Sequence, residues 1–174
     1  MMRYIYLDMD GVLADFDAEM IRKFGNRFDA IAPDAVSRWA LITQHAPNLY
    51  ADLQEMIDAD TLVAGVIEAC VKYDYVPAIL TAIPKYGRIP DAVVHKKEWI
   101  RTRWPVLHKN FNIGPHAVDK QTFAKPGHIL IDDSHLNIPQ WNAAGGFGIL
   151  HTSAAQSLEQ LNKFLEEQHA SISR

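Results

Sequence analysis

Cysteine is almost missing from this chain. Cys70 stands alone among 174 residues, so no intrachain disulfide can form. Its apolar neighbours, Ala69 and Val71, mark it as a buried, inert thiol. A chain without disulfides fits a reducing compartment, and a cytoplasmic location is expected. Long apolar runs are missing too. None approaches the roughly 20 residues needed to cross a bilayer, so no membrane partner is expected. The stretch from Met1 to Leu7 lacks the charged start, apolar middle and small-residue cleavage site of a signal peptide. There is no excess of positive charge: Lys and Arg number 17 against 21 Asp and Glu, a formal net charge of -4. Bulk charge will therefore not hold the chain on a phosphate backbone, and no stable nucleic-acid binding is expected. Repeats and low-complexity tracts are absent as well. What remains is 48 % hydrophobic and 22 % charged residues, the balance of one globular domain with room for a small insert.

Short β-branched and aromatic runs alternate with helical patterns. Arg3 to Leu7, Val76 to Leu80, Asn110 to Ile113, His128 to Ile131 and Phe147 to Leu150 read as five strands. Pro77 is awkward in the second of these, because a central strand cannot spare a donor; it is expected near the strand's start or at a bulge. Helices are expected over Asp17 to Phe24, Ala35 to Ile42, Leu49 to Ile57, Thr61 to Tyr73, Ala92 to Trp104, Ile138 to Ala144 and Ser153 to Gln168. Pro33 and Pro47 punctuate the early ones. This alternation predicts an α/β fold: a Rossmann-like, mostly parallel five-stranded sheet with helices on both faces. The stretch 16–60 contains no convincing strand. It is expected to be a small helical cap inserted after strand 1, with 1–15 and 61–174 forming the core.

Three strands end in residues with chemical potential: Asp8-Met9-Asp10-Gly11, Thr81, and Asp132-Asp133. In a parallel sheet the carboxyl ends of the strands open onto one edge, where ligands bind. Four carboxylates, a hydroxyl and nearby lysines thus converge in one crevice. Taken singly, each has a bland explanation as a cap or a turn. Together they repel one another unless a cation offsets them, and an all-oxygen set points to Mg²⁺.

DMDGVLAD from Asp8 to Asp15, ILTA around Thr81, DK at Asp119-Lys120 and LIDD from Leu130 to Asp133 resemble, in order, the four motifs of the haloacid dehalogenase-like (HAD) phosphatase superfamily. The helical insert after the first motif, the KKEWI segment from Lys96 to Ile100 and the DK-then-IDD arrangement are similar to the 5'(3')-deoxyribonucleotidase group. The resemblance implies that Asp8 is a nucleophile forming an aspartyl-phosphate and that Asp10 acts as general acid and then general base. Mg²⁺ would lie between Asp8, the Asp10 carbonyl and a carboxylate of Asp132 or Asp133, with Asp133 favoured. Thr81, the N–H of Ala82 and Lys120 would hold the phosphoryl oxygens. Lys120 is preferred over Lys125 as the motif lysine, and Lys96 is a second candidate phosphate contact set against a solvated helix lysine. In the insert, Phe16, Trp39 and Tyr50 are candidates for a wall that stacks on a nucleobase, against simple helix packing. Trp99 and Trp104 read as core, and no histidine shows metal-ligand spacing, although His135 follows the last motif closely.

The expected activity is a Mg²⁺-dependent phosphomonoesterase acting on (deoxy)nucleoside monophosphates. Two alternatives stand beside it: a phosphatase of nucleic-acid 3' ends or of another small metabolite, and a non-catalytic phosphate-binding protein. The expected partner is a small-molecule phosphate monoester, and a homodimer is left open.

Overall fold

The computed structural model describes residues 2–26, 31, 34–84, 89, 91–114 and 116–172. Pro33 lies outside them. Five strands, β1 (Tyr4–Leu7), β2 (Val76–Ala82), β3 (Phe111–Gly114), β4 (Ile129–Asp132) and β5 (Phe147–Leu150), form one sheet in the order β3-β2-β1-β4-β5. Every pairing is parallel, so β1 lies at the centre and all carboxyl ends share one edge. Around the sheet are α1 (Phe16–Phe24), α2 (Ala35–His45), α3 (Leu49–Asp52), α4 (Ala59–Tyr73), α5 (Ala92–Arg103), α6 (Pro105–His108), α7 (Asn137–Ala143) and α8 (Ala154–Ile172). A 3₁₀ helix spans Ala117–Phe123.

The strands are apolar on both faces, as a covered parallel sheet requires. Ile5, Leu7, Ile79, Ile129, Ile131 and Ile149 join the main core with Leu62 and Val66 of α4, Trp99 and Ile100 of α5, and Leu161 and Leu165 of α8. The alternate positions Tyr6, Ala78, Leu80 and Leu130 form a second core with Trp141 of α7. Cys70 is 4 % exposed, and burial pushes its thiol up to about 12, so it is inert at neutral pH.

Pro77 is the second residue of β2 and pairs with Ile5. The N–H of Ile79, two residues on, bonds the Asn110 carbonyl. The missing donor of Pro77 thus points to the side where β3, starting at Phe111, has not yet begun. The helix expected from Leu49 to Ile57 ends instead at Asp52. Leu53 turns extended, the Asp15 N–H bonds the Gln54 carbonyl (2.9 Å) and the Met56 N–H bonds the Leu13 carbonyl (2.9 Å). These two bonds staple the chain before α1 to the chain after α3 at a common root. The Leu53 carbonyl accepts the Trp99 indole N–H (2.8 Å), and Glu55 pairs with Arg103 (2.8 Å), which ties that root to α5. α4 begins at Ala59 rather than Thr61.

Candidate active site

The Asp8 N–H bonds the Ile131 carbonyl (3.0 Å), extending the parallel pairing one residue past β1 and fixing Asp8 at the sheet edge. The chain then wraps into a tight turn. The Leu13 and Ala14 N–H groups both bond the Met9 carbonyl at 2.8 Å, while the side chains of Met9, Val12 and Leu13 are fully buried. Gly11 turns at φ +77°, and a Cβ there would collide with the Asp133 carboxylate. Glycine is needed for the conformation and for this close approach.

Lys120, brought in by the 3₁₀ helix, is 2 % exposed and bridges Asp8 Oδ1 (2.8 Å) and Asp132 Oδ2 (2.6 Å). Burial opposes its charge, but the two carboxylates outweigh burial and raise its pKa. Lys125 is exposed and stands apart. Asp132 is fully buried. Besides Lys120 it receives the Ser134 N–H (2.8 Å) and the Asn137 amide (3.1 and 3.0 Å). Burial, then Asp8, nevertheless pushes its carboxyl up, against Lys120. Asp133 is exposed in the cleft, where partial desolvation and repulsion from Asp8 and Asp132 push its carboxyl up to about 7.

Asp10 Oδ2 accepts a 2.6 Å bond from Lys96, and its Oδ1 is buried with no partner among the described residues. Burial is the main cause raising its pKa, with Asp8 adding and Lys96 and Lys120 opposing. Lys96 has no exposed surface and spends its other donors on Thr81 Oγ1 (2.9 Å) and the Ala82 carbonyl (2.9 Å). It is therefore not the solvated helix lysine of the bland reading.

A cleft of about 610 Å³ runs over this edge. Of the residues singled out from sequence, Asp8, Asp10, Ala82, Lys120, Asp133, Phe16, Trp39 and Tyr50 line it. Thr81, Lys96 and Asp132 lie beneath its floor, buried and bonded to one another or to residues above. Phe16 and Trp39 stand together, ring centroids 6.5 Å apart and tilted by 55°. Tyr50 is separate: only 2 % exposed, its ring lies 4.4 Å from the Lys96 ammonium. Burial, then Asp10 and Asp8, raises its hydroxyl well above the usual range, which keeps it neutral. Gly11, Asp15, Asp17, Met56, Ile83, Pro84, His116, Ser134 and Asn137 complete the lining. His116 bears no sequence signal beyond lying four residues before Lys120. His135 is not among the lining residues.

Carboxylate oxygens of Asp8, Asp132 and Asp133 lie within 4.8 Å of one another. This set suits a hard cation such as Mg²⁺. Asp132 is already saturated by three donors, whereas Asp133 is not, and the cradle above Gly11 admits it. The unneutralised acid of Asp133 is what a divalent ion would offset.

The model of the family described as "5' nucleotidase, deoxy (Pyrimidine), cytosolic type C protein" matches residues 2–164. The human cytosolic-type 5'(3')-deoxyribonucleotidase is 28 % identical over 149 residues, covering 74 % of this chain and 69 % of that protein. A HAD-like family hydrolase of Streptococcus pneumoniae superposes with a TM-score of 0.53 at 15 % identity, over 91 % of this chain and 90 % of that one. A HAD hydrolase of Bacillus subtilis, bound to magnesium, gives a TM-score of 0.53 at 13 % identity, over 94 % and 98 %. Both structural likenesses concern the fold.

Proposed function

The chain belongs to the cytosolic type C deoxy-pyrimidine 5'-nucleotidase family and is a HAD-like phosphoric monoester hydrolase; from that premise we propose that it hydrolyses (deoxy)nucleoside monophosphates through a phosphoryl group carried on Asp8. The observation that supports this most is the meeting of Asp8, Asp10, Lys120 and Asp133 in one cleft with an aromatic pair above.

Lys120 holds Asp8 Oδ1, leaving Oδ2 to attack phosphorus. The bond from phosphorus to the nucleoside oxygen breaks, and Asp10 gives that oxygen its proton. The raised pKa of Asp10 supports its being protonated for this step. Asp10 then takes a proton from water, the water oxygen attacks phosphorus, and the bond to Asp8 breaks, releasing inorganic phosphate. Lys120 offsets charge on the oxygens throughout. Asp8, Asp133 and the Asp10 carbonyl would hold Mg²⁺, which when bound supplies further neutralisation of the phosphoryl oxygens. Lys96 acts as a positioning residue for Asp10 and Thr81.

Residues 16–60 serve as the cap, with 1–15 and 61–174 as the core. Phe16 and Trp39 provide the stacking wall, while Tyr50 supports the catalytic floor. The cytosolic designation of the human relative supports a cytoplasmic setting. Phosphate release from a panel of nucleoside monophosphates and sugar phosphates, with and without EDTA, tests the assignment. Deoxynucleoside 5'-monophosphates should be preferred, and EDTA should stop turnover until Mg²⁺ is restored. Trp39→Ala should lower kcat/KM for nucleotides roughly ten- to a hundredfold, the worth of about 1–3 kcal/mol of base stacking, and spare p-nitrophenyl phosphate. A sugar phosphate preferred by tenfold would sink the nucleotide assignment.

A further inference from the structure

The cleft is crowded with negative charge. Among the described residues, Asp8, Asp10, Asp15, Asp17 and Asp133 line it together with one lysine, Lys120. A phosphate dianion entering here needs hydrogen-bond donors that the protein has not already spent. Lys120 commits bonds to Asp8 and Asp132, Lys96 is consumed beneath the floor, and the Asn137 amide is turned onto Asp132. His116 is the single histidine among the lining residues.

The local fold sets its ring. The His116 N–H bonds Asp119 Oδ2 (3.1 Å), and the Asp119 N–H returns to the His116 carbonyl (2.9 Å). That reciprocal pair locks the residue at the start of the 3₁₀ helix that carries Lys120. His116 Nδ1 is buried and has no hydrogen bond among the described residues. Nε2 is neither buried nor hydrogen-bonded among the described residues, and His116 lines the cleft. The position fits a phosphate contact. His116 follows β3, which lies beside β2 in the sheet, about 4.8 Å away. The phosphoryl group is to be held between the ends of β1 and β2. The His116 imidazole, following the strand next to β2, lines the same cleft as Asp8 and Lys120.

We propose that His116 is a substrate-contacting residue whose Nε2 donates a hydrogen bond to a non-bridging oxygen of the phosphate. This rests on the phosphatase reading of the cleft. It assigns to phosphate recognition a residue outside the four motifs.

Calorimetric titration of inorganic phosphate into the Mg²⁺-loaded protein tests it, using wild type, His116→Phe and His116→Gln. Phe keeps a flat ring but no donor, and Gln restores an N–H near the Nε2 position. Phe should weaken phosphate binding about tenfold, or about 1.4 kcal/mol, and Gln should recover most of it. KM should rise, and kcat/KM should fall by at least the same factor, for a deoxynucleotide and for p-nitrophenyl phosphate alike. Unchanged phosphate affinity in the Phe variant, or a KM effect confined to the nucleotide, would overturn the proposal while leaving the hydrolase reading intact. Wild-type protein that binds no phosphate would overturn the phosphate site itself, and the proposal with it.

Discussion

Lys96 makes three hydrogen bonds from a position with no exposed surface. Placing an ammonium there is costly unless every donor is met, and here Asp10, Thr81 and the Ala82 carbonyl meet them. Its contribution is therefore orientation. Lys96→Met should lower kcat by two orders of magnitude or more and should also destabilise the fold, because Asp10 loses its partner. It should move the descending limb of the pH–rate profile upward: the lost cation had been lowering the pKa of Asp10, the acid that must be protonated to act. A variant with normal kcat and an unmoved limb would show that Lys96 is a packing residue only. At this scale the motif positions were legible, since Asp8, Asp10 and Asp133 stand just past strand ends, while Lys120 comes in on the 3₁₀ helix after β3. Depth was not legible. Nothing in ILTA or KKEWI says that Thr81 and Lys96 face one another below the floor, because that follows from how α5 packs on β2. Tyr50 illustrates the same gap. Its aromatic character fits a stacking wall, but α3 lays it against Lys96 instead.

The elements followed their patterns where a single face decides, and departed where distant backbone competes. α4, expected over Thr61 to Tyr73, buries Leu62, Val66, Ala69 and Cys70 at helical spacing. The shortening of α3 came from Gln54 and Met56 pairing with residues 13 and 15, a long-range bond that helical periodicity cannot register. Asp58 is a second case. It precedes α4 but makes no side-chain cap there; its Oδ2 accepts the Ala154 N–H at 2.6 Å, capping α8 from 96 residues away. Asp58→Ala should cost about 1 kcal/mol, a fall of roughly 2–4 °C in Tm for a domain of this size, with kcat unchanged. A Tm equal to wild type would mean that solvent satisfies the Ala154 N–H equally well.

At the scale of the whole molecule, a parallel sheet gathers acids from β1 and β4 that are some 120 residues apart in sequence, and stability inherits their repulsion. The Asp133 carboxyl is pushed from its ordinary 3.8 up to about 7. A raised carboxyl binds its proton more tightly folded than unfolded, so between about pH 4 and 7 stability falls as pH rises. Without Mg²⁺, thermal melts should thus show Tm declining across that window. Mg²⁺ should restore Tm near neutrality and do little at pH 5, and Asp133→Asn should flatten the slope. A metal-free Tm rising from pH 5 to 7 would contradict the clustering. The most direct measurement of the central claim is on Asp8 itself. Deoxynucleotide labelled in its phosphate should be mixed with enzyme, quenched in acid within the first turnovers, and the protein digested and mapped. Label on the peptide bearing Asp8 in the wild type, with none and almost no turnover in Asp8→Asn, is the expected result. Substantial turnover by Asp8→Asn, or label that never reaches Asp8, would contradict it.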